Sequence, residues 1–185
     1  YFAFFNSNQK YPIFCYHYFS FLIEHNLIEK LLTLFKEKKI PKNLFPNLLN
    51  ILNYHERWDI FLTIHNDYRS ELIEYDPTHL YQLYYLVNIA HQKLNNNTPF
   101  DPSTLDSPAL KLIAEAAVSA KARDYASMQI IEAKLFSLTQ AHPDFEVFAH
   151  DFRCLRLMAL GKFKIAFEEM EKRHLAGKIV SAKTF

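Results

Sequence analysis

The sequence predicts an all-α protein of about nine helices, and three observations carry that prediction. Apolar residues recur at helical spacing along most of the chain, as in Leu27, Leu31, Leu34 and Phe35. No segment alternates apolar and polar residues between Asn-Gly or Asp-Gly turns, the pattern of a half-buried strand. Proline and short capping residues punctuate the helical pattern where helices should start and stop.

Tyr11-Pro12 opens an aromatic-rich helix to about His25, which meets a second helix near His25-Asn26. That second helix carries the Leu27 to Phe35 stripe, with Glu29, Lys30, Lys36 and Glu37 off it. Ile40-Pro41-Lys42 breaks the pattern, because proline lacks an amide donor and disfavours helix in the residue before it. A third helix is expected from about Leu44 to Asn53 with Pro46 in its first turn, and Trp58, Phe61, Leu62 and Leu72 mark a fourth that ends at Asp76-Pro77. Thr78 is the expected cap of a fifth helix bearing Leu80, Leu83, Tyr84, Val87 and Ala90. It fades into Asn95-Asn96-Asn97-Thr98-Pro99, which opens the longest loop, to Asp106. Ser107-Pro108, a hydroxyl cap followed by proline at the first helical position, starts a sixth helix with Leu112, Ala116 and Ala117. Arg123-Asp124 marks a corner, Tyr125 to Leu138 a seventh helix, Pro143-Asp144 the start of an eighth, and Gly161 the turn into a ninth.

At 185 residues and 50% hydrophobic content the chain can bury a substantial core, as one domain or as a short array of stacked units. Most aromatic residues precede residue 90 and alanine is concentrated after 108, so the first half should pack large rings and the second should bring helices close together. Lys+Arg number 21 and Asp+Glu 20, which gives no global basic field of the kind that drives tight nucleic-acid binding and leaves only local basic stripes. Cys15 and Cys154 show neither CxxC nor Cys/His ligand spacing, so no disulfide framework, zinc site or other cofactor is expected, and a reducing compartment is preferred. No apolar run is long enough to span a membrane. The chain opens on Tyr1 rather than methionine, which leaves a removed targeting segment open.

Corner aromatics recur at Trp58, Tyr125 and Phe163, separated by 67 and 38 residues. Spacing near 34 or its double marks helix-pair repeats, because one pair cannot bury its apolar face alone and neighbours reuse the same corner. In the last corner Gly161 should relieve crowding, Phe163 should wedge into the turn, and Ala166 should let the paired helices approach closely. Gly161, Ala166, Gly177, Thr184 and Phe185 fall at the spacings of a pentatricopeptide unit, and Asp76-Pro77-Thr78-His79-Leu80-Tyr81 is similar to the same junction. Leu31 to Phe45 looks like a shortened version, and Pro143, Cys154, Gly161, Phe163 and Ala166 suit a tetratricopeptide register. The chain thus resembles the tetratricopeptide/pentatricopeptide superfamily of helical repeats. That resemblance implies a right-handed α-solenoid of stacked antiparallel helix pairs. Residues 1–95 would form aromatic-rich repeats, 96–106 a loop, and 107–185 further repeats continuous with the first. Thr184-Phe185 stand where another repeat would begin, so a longer natural protein is expected.

No GxSxG, phosphate-binding glycine loop or HExxH is present. His17 and His25, or His55 and His65, are poorly spaced for metal ligation and read as surface or packing residues. Glu168, Glu169 and Glu171 read as a solvated helix face, and Cys154 as a small residue at a helix crossing. Tyr81, Tyr84 and Tyr85 could stack bases, yet their spacing fits core packing better. Two lysine-rich clusters remain. Lys36, Lys38, Lys39 and Lys42 follow one helix end, and Lys162, Lys164, Lys172, Arg173, Lys178 and Lys183 surround the last corner. Either could contact phosphate or complement a helix dipole.

In the resembled family a residue after the opening aromatic helps to choose the base. Here those positions are Pro46 after Phe45 and Gln82 after Tyr81, with Pro77 in the preceding turn, and a proline reads no base edge. The expectation is a non-catalytic binding protein in an organellar, notably mitochondrial, ribonucleoprotein. It would bind RNA through Lys38, Lys39, Lys42, Gln82, Lys172 and Arg173, the lysine clusters touching the backbone, or serve as a structural subunit. The alternative is a cytoplasmic adaptor holding a protein or peptide in the concave groove.

Overall fold

The computed structural model describes residues 12–37, 40, 44–72, 76–95 and 97–175. Among them the protein is all-α, with nine α-helices, two short 3-10 turns and no strand. The helices are α1 (Pro12–Glu24), α2 (Ile28–Lys36), α3 (Phe45–Tyr54), α4 (Trp58–Leu72), α5 (Pro77–Leu94), α6 (Pro108–Ala122), α7 (Tyr125–Leu138), α8 (Glu146–Ala159) and α9 (Phe163–Leu175). The expected break at Pro41-Lys42 and the expected repeat positions Gly177, Thr184 and Phe185 lie outside the described residues.

Helix starts follow local chemistry. Ser107 accepts from the Leu110 amide with Pro108 behind it, and Asp124 accepts from both the amide and the hydroxyl of Ser127 at the head of α7. At α5 the cap is Asp76 rather than Thr78: its Oδ1 accepts from the amides of Thr78 and His79 at 2.9 and 3.1 Å. With Pro77 at the first helical position, the only cap site is one residue before it, and a carboxylate fills that site well. The loop after Asn95 contains a 3-10 turn, Pro102–Thr104, capped by Asp101. Another, Pro143–Phe145, leads into α8, which therefore begins at Glu146.

Four corners share one backbone design. α1 ends at Asn26, α3 at Glu56, α6 at Arg123 and α8 at Gly161, each with positive φ, at 54°, 52°, 56° and 72°. At each corner the positive-φ residue donates to a carbonyl three residues back, and the next residue donates to one five back. Asn26 to Ile23 with Leu27 to Leu22 is one such pair, and Gly161 to Met158 with Lys162 to Leu157 is another. This is the Schellman termination, which satisfies the last carbonyls of a helix and reverses the chain within two or three residues. Three of the corners join helices that pack on each other as hairpins, α1–α2, α6–α7 and α8–α9, and the fourth links α3 to α4.

The chain divides into two compact units, residues 1–70 with 90–98, and residues 71–89 with 99–185, so boundaries fall within the last turn of α4 and within α5. In the first unit α1 packs on α2 and α3. Its core is built of Phe19, Leu22, Leu31, Phe35, Leu48, Leu52 and Phe61, all buried. Each such side chain contributes about 1.5–3 kcal/mol by leaving water. In the second unit successive helices pack in order, α6 on α7, α7 on α8 and α8 on α9. Ala114, Ala116, Ala117, Ala149 and Ala166 are fully buried there, the close approach that the alanine-rich half predicts. Tyr84 stacks on Phe100 at 5.8 Å, and the buried Asn88 carboxamide accepts from the Phe100 amide at 3.0 Å, which fastens the long loop to α5. Tyr81 of α5 meets Phe148 and Phe152 of α8, with ring centroids 5.5 and 6.3 Å away.

Candidate interaction surface at the α8–α9 hairpin

Gly161 turns α8 into α9 because its φ lies where other residues are strained. A Cβ there would meet nothing within 4 Å, so the conformation, and not crowding, requires the glycine. Beyond the turn Ala166 is fully buried, and the Cys154 thiol lies 3.8 Å from its carbonyl oxygen. Cys154 is thus a packing residue at a helix crossing, its thiol pushed up from the ordinary value chiefly by burial.

Charged side chains sew α7, α8 and α9 together. Glu132 of α7 accepts from Arg156 Nε at 2.6 Å and lies 3.7 Å from Arg153. Arg153 reaches Glu169 of α9 at 3.5 Å and stands over the Phe136 ring at 5.8 Å. His150 meets the same Phe136 edge-on, and its Nδ1 is 3.9 Å from Glu169. Deepest in the seam, Arg173 Nη1 donates to Asp151 at 2.6 Å, while Nε and Nη2 have no hydrogen-bond partner. Burial, followed by the Arg173 charge, holds the His150 imidazole below its ordinary range, although Glu169 and Glu146 pull the other way. The arrangement fixes helix register; it offers no nucleophile beside a base.

Of the six residues expected to touch RNA, three are among the described residues. Lys38, Lys39 and Lys42 lie outside the described residues. Gln82 is exposed on α5 and Lys172 on α9, but Arg173, the neighbour of Lys172, is only 5% exposed and engaged by Asp151. Neighbours on a helix point about 100° apart, so one meets solvent and the other the seam. The acidic trio also separates: Glu168 and Glu171 are exposed, whereas Glu169 turns inward to Arg153. His17 and His25 are exposed, His55 is 3.9 Å from Glu24, and buried His65 lies beside the Asn66 side chain. No group of potential metal ligands forms among the described residues, and no helix there is long and apolar enough to cross a membrane.

Phe163 does not wedge into the corner. It is 66% exposed, and Ile165 and Phe167 are 45% and 61% exposed on the same helix. Ala166, Glu169, Met170 and Arg173 face the protein, and Phe163 and Phe167 stand beside them as an exposed aromatic pair that the sequence reading missed. Phe163 and Phe167, one turn apart, were the available signal, but the same spacing equally describes a core stripe. Comparison with protein-family models, curated proteins and solved structures finds no match to this chain.

Proposed function

We propose that this is a non-catalytic helical-repeat binding protein whose α9 face docks a helix of another protein. The observation that carries the reading is the exposure of Phe163 and Phe167, one turn apart on the same side of α9, because large apolar side chains concentrated on one helix face mark an interaction site. A helix is the occupant that continues the order already present, in which α7 covers α6, α8 covers α7 and α9 covers α8. Exposed Lys164, Glu168, Glu171 and Lys172 supply both signs of charge around it, which suits a partner helix of mixed charge. Four like corners support a tetratricopeptide- or pentatricopeptide-like repeat as the building unit. Within the second unit the contact of Tyr81 with Phe148 and Phe152 favours a tightly coiled stack over a linear one.

An organellar ribonucleoprotein remains a fitting setting, with this chain as a structural subunit. Direct RNA contact has narrower support, the exposed Lys162, Lys164 and Lys172 around the same hairpin. A photo-crosslinking side chain at Phe167 should capture a protein in cells, and the paired change Phe163→Ser, Phe167→Ser should abolish capture at an adjacent position while leaving the circular dichroism unchanged. Capture of RNA alone would overturn the reading.

A further inference from the structure

A second surface, on the α6–α7 hairpin, has a different chemistry. A cavity of about 340 Å³ lies open between these helices and the Pro102 turn. Val118, Ala122, Ile130 and Ile131 give it apolar walls; Ile131 is buried, whereas Ile130 is 59% exposed. The small polar residues in the lining are already engaged. Ser119 donates to the Ala116 carbonyl at 3.0 Å, and Ser127 donates to Asp124 at 2.6 Å. A polar small molecule would find little to bond, and an open groove does not enclose one. An apolar side chain projecting from another surface would fit it well.

The charges on the rim choose the occupant. Two acidic residues, Glu115 and Asp124, and one cation, Lys134, line it, and neither Glu115 nor Lys134 forms an ion pair among the described residues. Asp124 is held below the usual carboxylate range by the Ser127 hydroxyl and amide, so it stays anionic across physiological pH. The rim is therefore acidic on balance, and an acidic rim around an apolar slot complements apolar anchors flanked by cations. We propose that the α6–α7 groove binds a basic amphipathic peptide helix, seating its apolar side chains between Ala122 and Ile130 with Lys or Arg beside Glu115. This site is separate in residues and in charge preference from the α9 face.

The test is fluorescence anisotropy with a labelled helical peptide bearing leucines one turn apart and lysines beside them. Control peptides carry glutamate for lysine, or serine for leucine. Saturable binding of the lysine–leucine peptide is expected, weakened about tenfold by either replacement. Glu115→Lys should reverse the charge preference, and Ala122→Trp, at an exposed position, should fill the groove and abolish binding with unchanged circular dichroism. Lys134→Glu should tighten binding, and Phe163→Ser, Phe167→Ser should leave it intact. Equal binding of the glutamate peptide, indifference to Ala122→Trp, or loss on changing Phe163 and Phe167 would overturn the proposal. Only the last outcome would move the peptide to the α9 face.

Discussion

Arg173 shows how much one side chain's partner decides. A guanidinium 5% exposed is tolerable because Asp151 takes one of its donors, and cutting that pair strands a charge in the seam. Asp151→Ala should therefore destabilise the protein by about 3–5 kcal/mol in denaturant unfolding. Lys172→Ala next door should change stability by less than about 0.5 kcal/mol. His150 adds a pH dependence of definite sign. Its folded value lies below the ordinary imidazole value of about 6.5, so below that pH the unfolded chain binds more protons and stability falls as the pH drops. Denaturation midpoints measured as the pH falls below about 6.5 should show this slope, and His150→Gln should flatten it. A slope unchanged in the variant would assign the effect to other groups, such as His91, whose imidazole burial also lowers.

At the scale of the element, the four hairpin corners separate what a residue type announces from what the backbone does. Gly161→Ala should cost about 1 kcal/mol from conformational strain alone, since the space for a methyl exists. Arg123→Gly, at a corner of the same design, should cost little or stabilise, and equilibrium unfolding of the two variants side by side checks both signs. This contrast explains which parts of the fold were legible. Ser107-Pro108 and the span Tyr125 to Leu138 could be read because caps and apolar period are local. The corners at Asn26 and Glu56 carry no glycine, and their defining bonds are between backbone atoms that any residue supplies. The exposed face of α9 was less legible still. Whether Phe163 or Arg173 faces inward depends on Ala166 and on Asp151, the latter 22 residues before Arg173, and helical spacing alone is blind to which face a neighbour covers.

For the whole molecule, near-balanced charge and the exposed Phe163 and Phe167 accord with the proposed association through apolar contact. Any RNA binding by Lys162, Lys164 and Lys172 should be weak and salt-sensitive. Affinity measured across a salt series is expected to fall steeply with added salt and to be negligible near 0.15 M, whereas capture of a protein by α9 should persist there. RNA binding that survives physiological salt would require a different surface from the one described.

The repeated Schellman corners also bear on how the protein is made. Every corner closes through bonds spanning at most five residues, and each hairpin joins helices adjacent in the chain. Little loop entropy is spent before native contacts form, which favours rapid folding. During synthesis a hairpin can form once its second helix has left the ribosome, without waiting for the C-terminal residues. Translation and folding then advance together, one hairpin at a time, and a ribosome stalled after α7 should already display a protease-resistant α6–α7 pair.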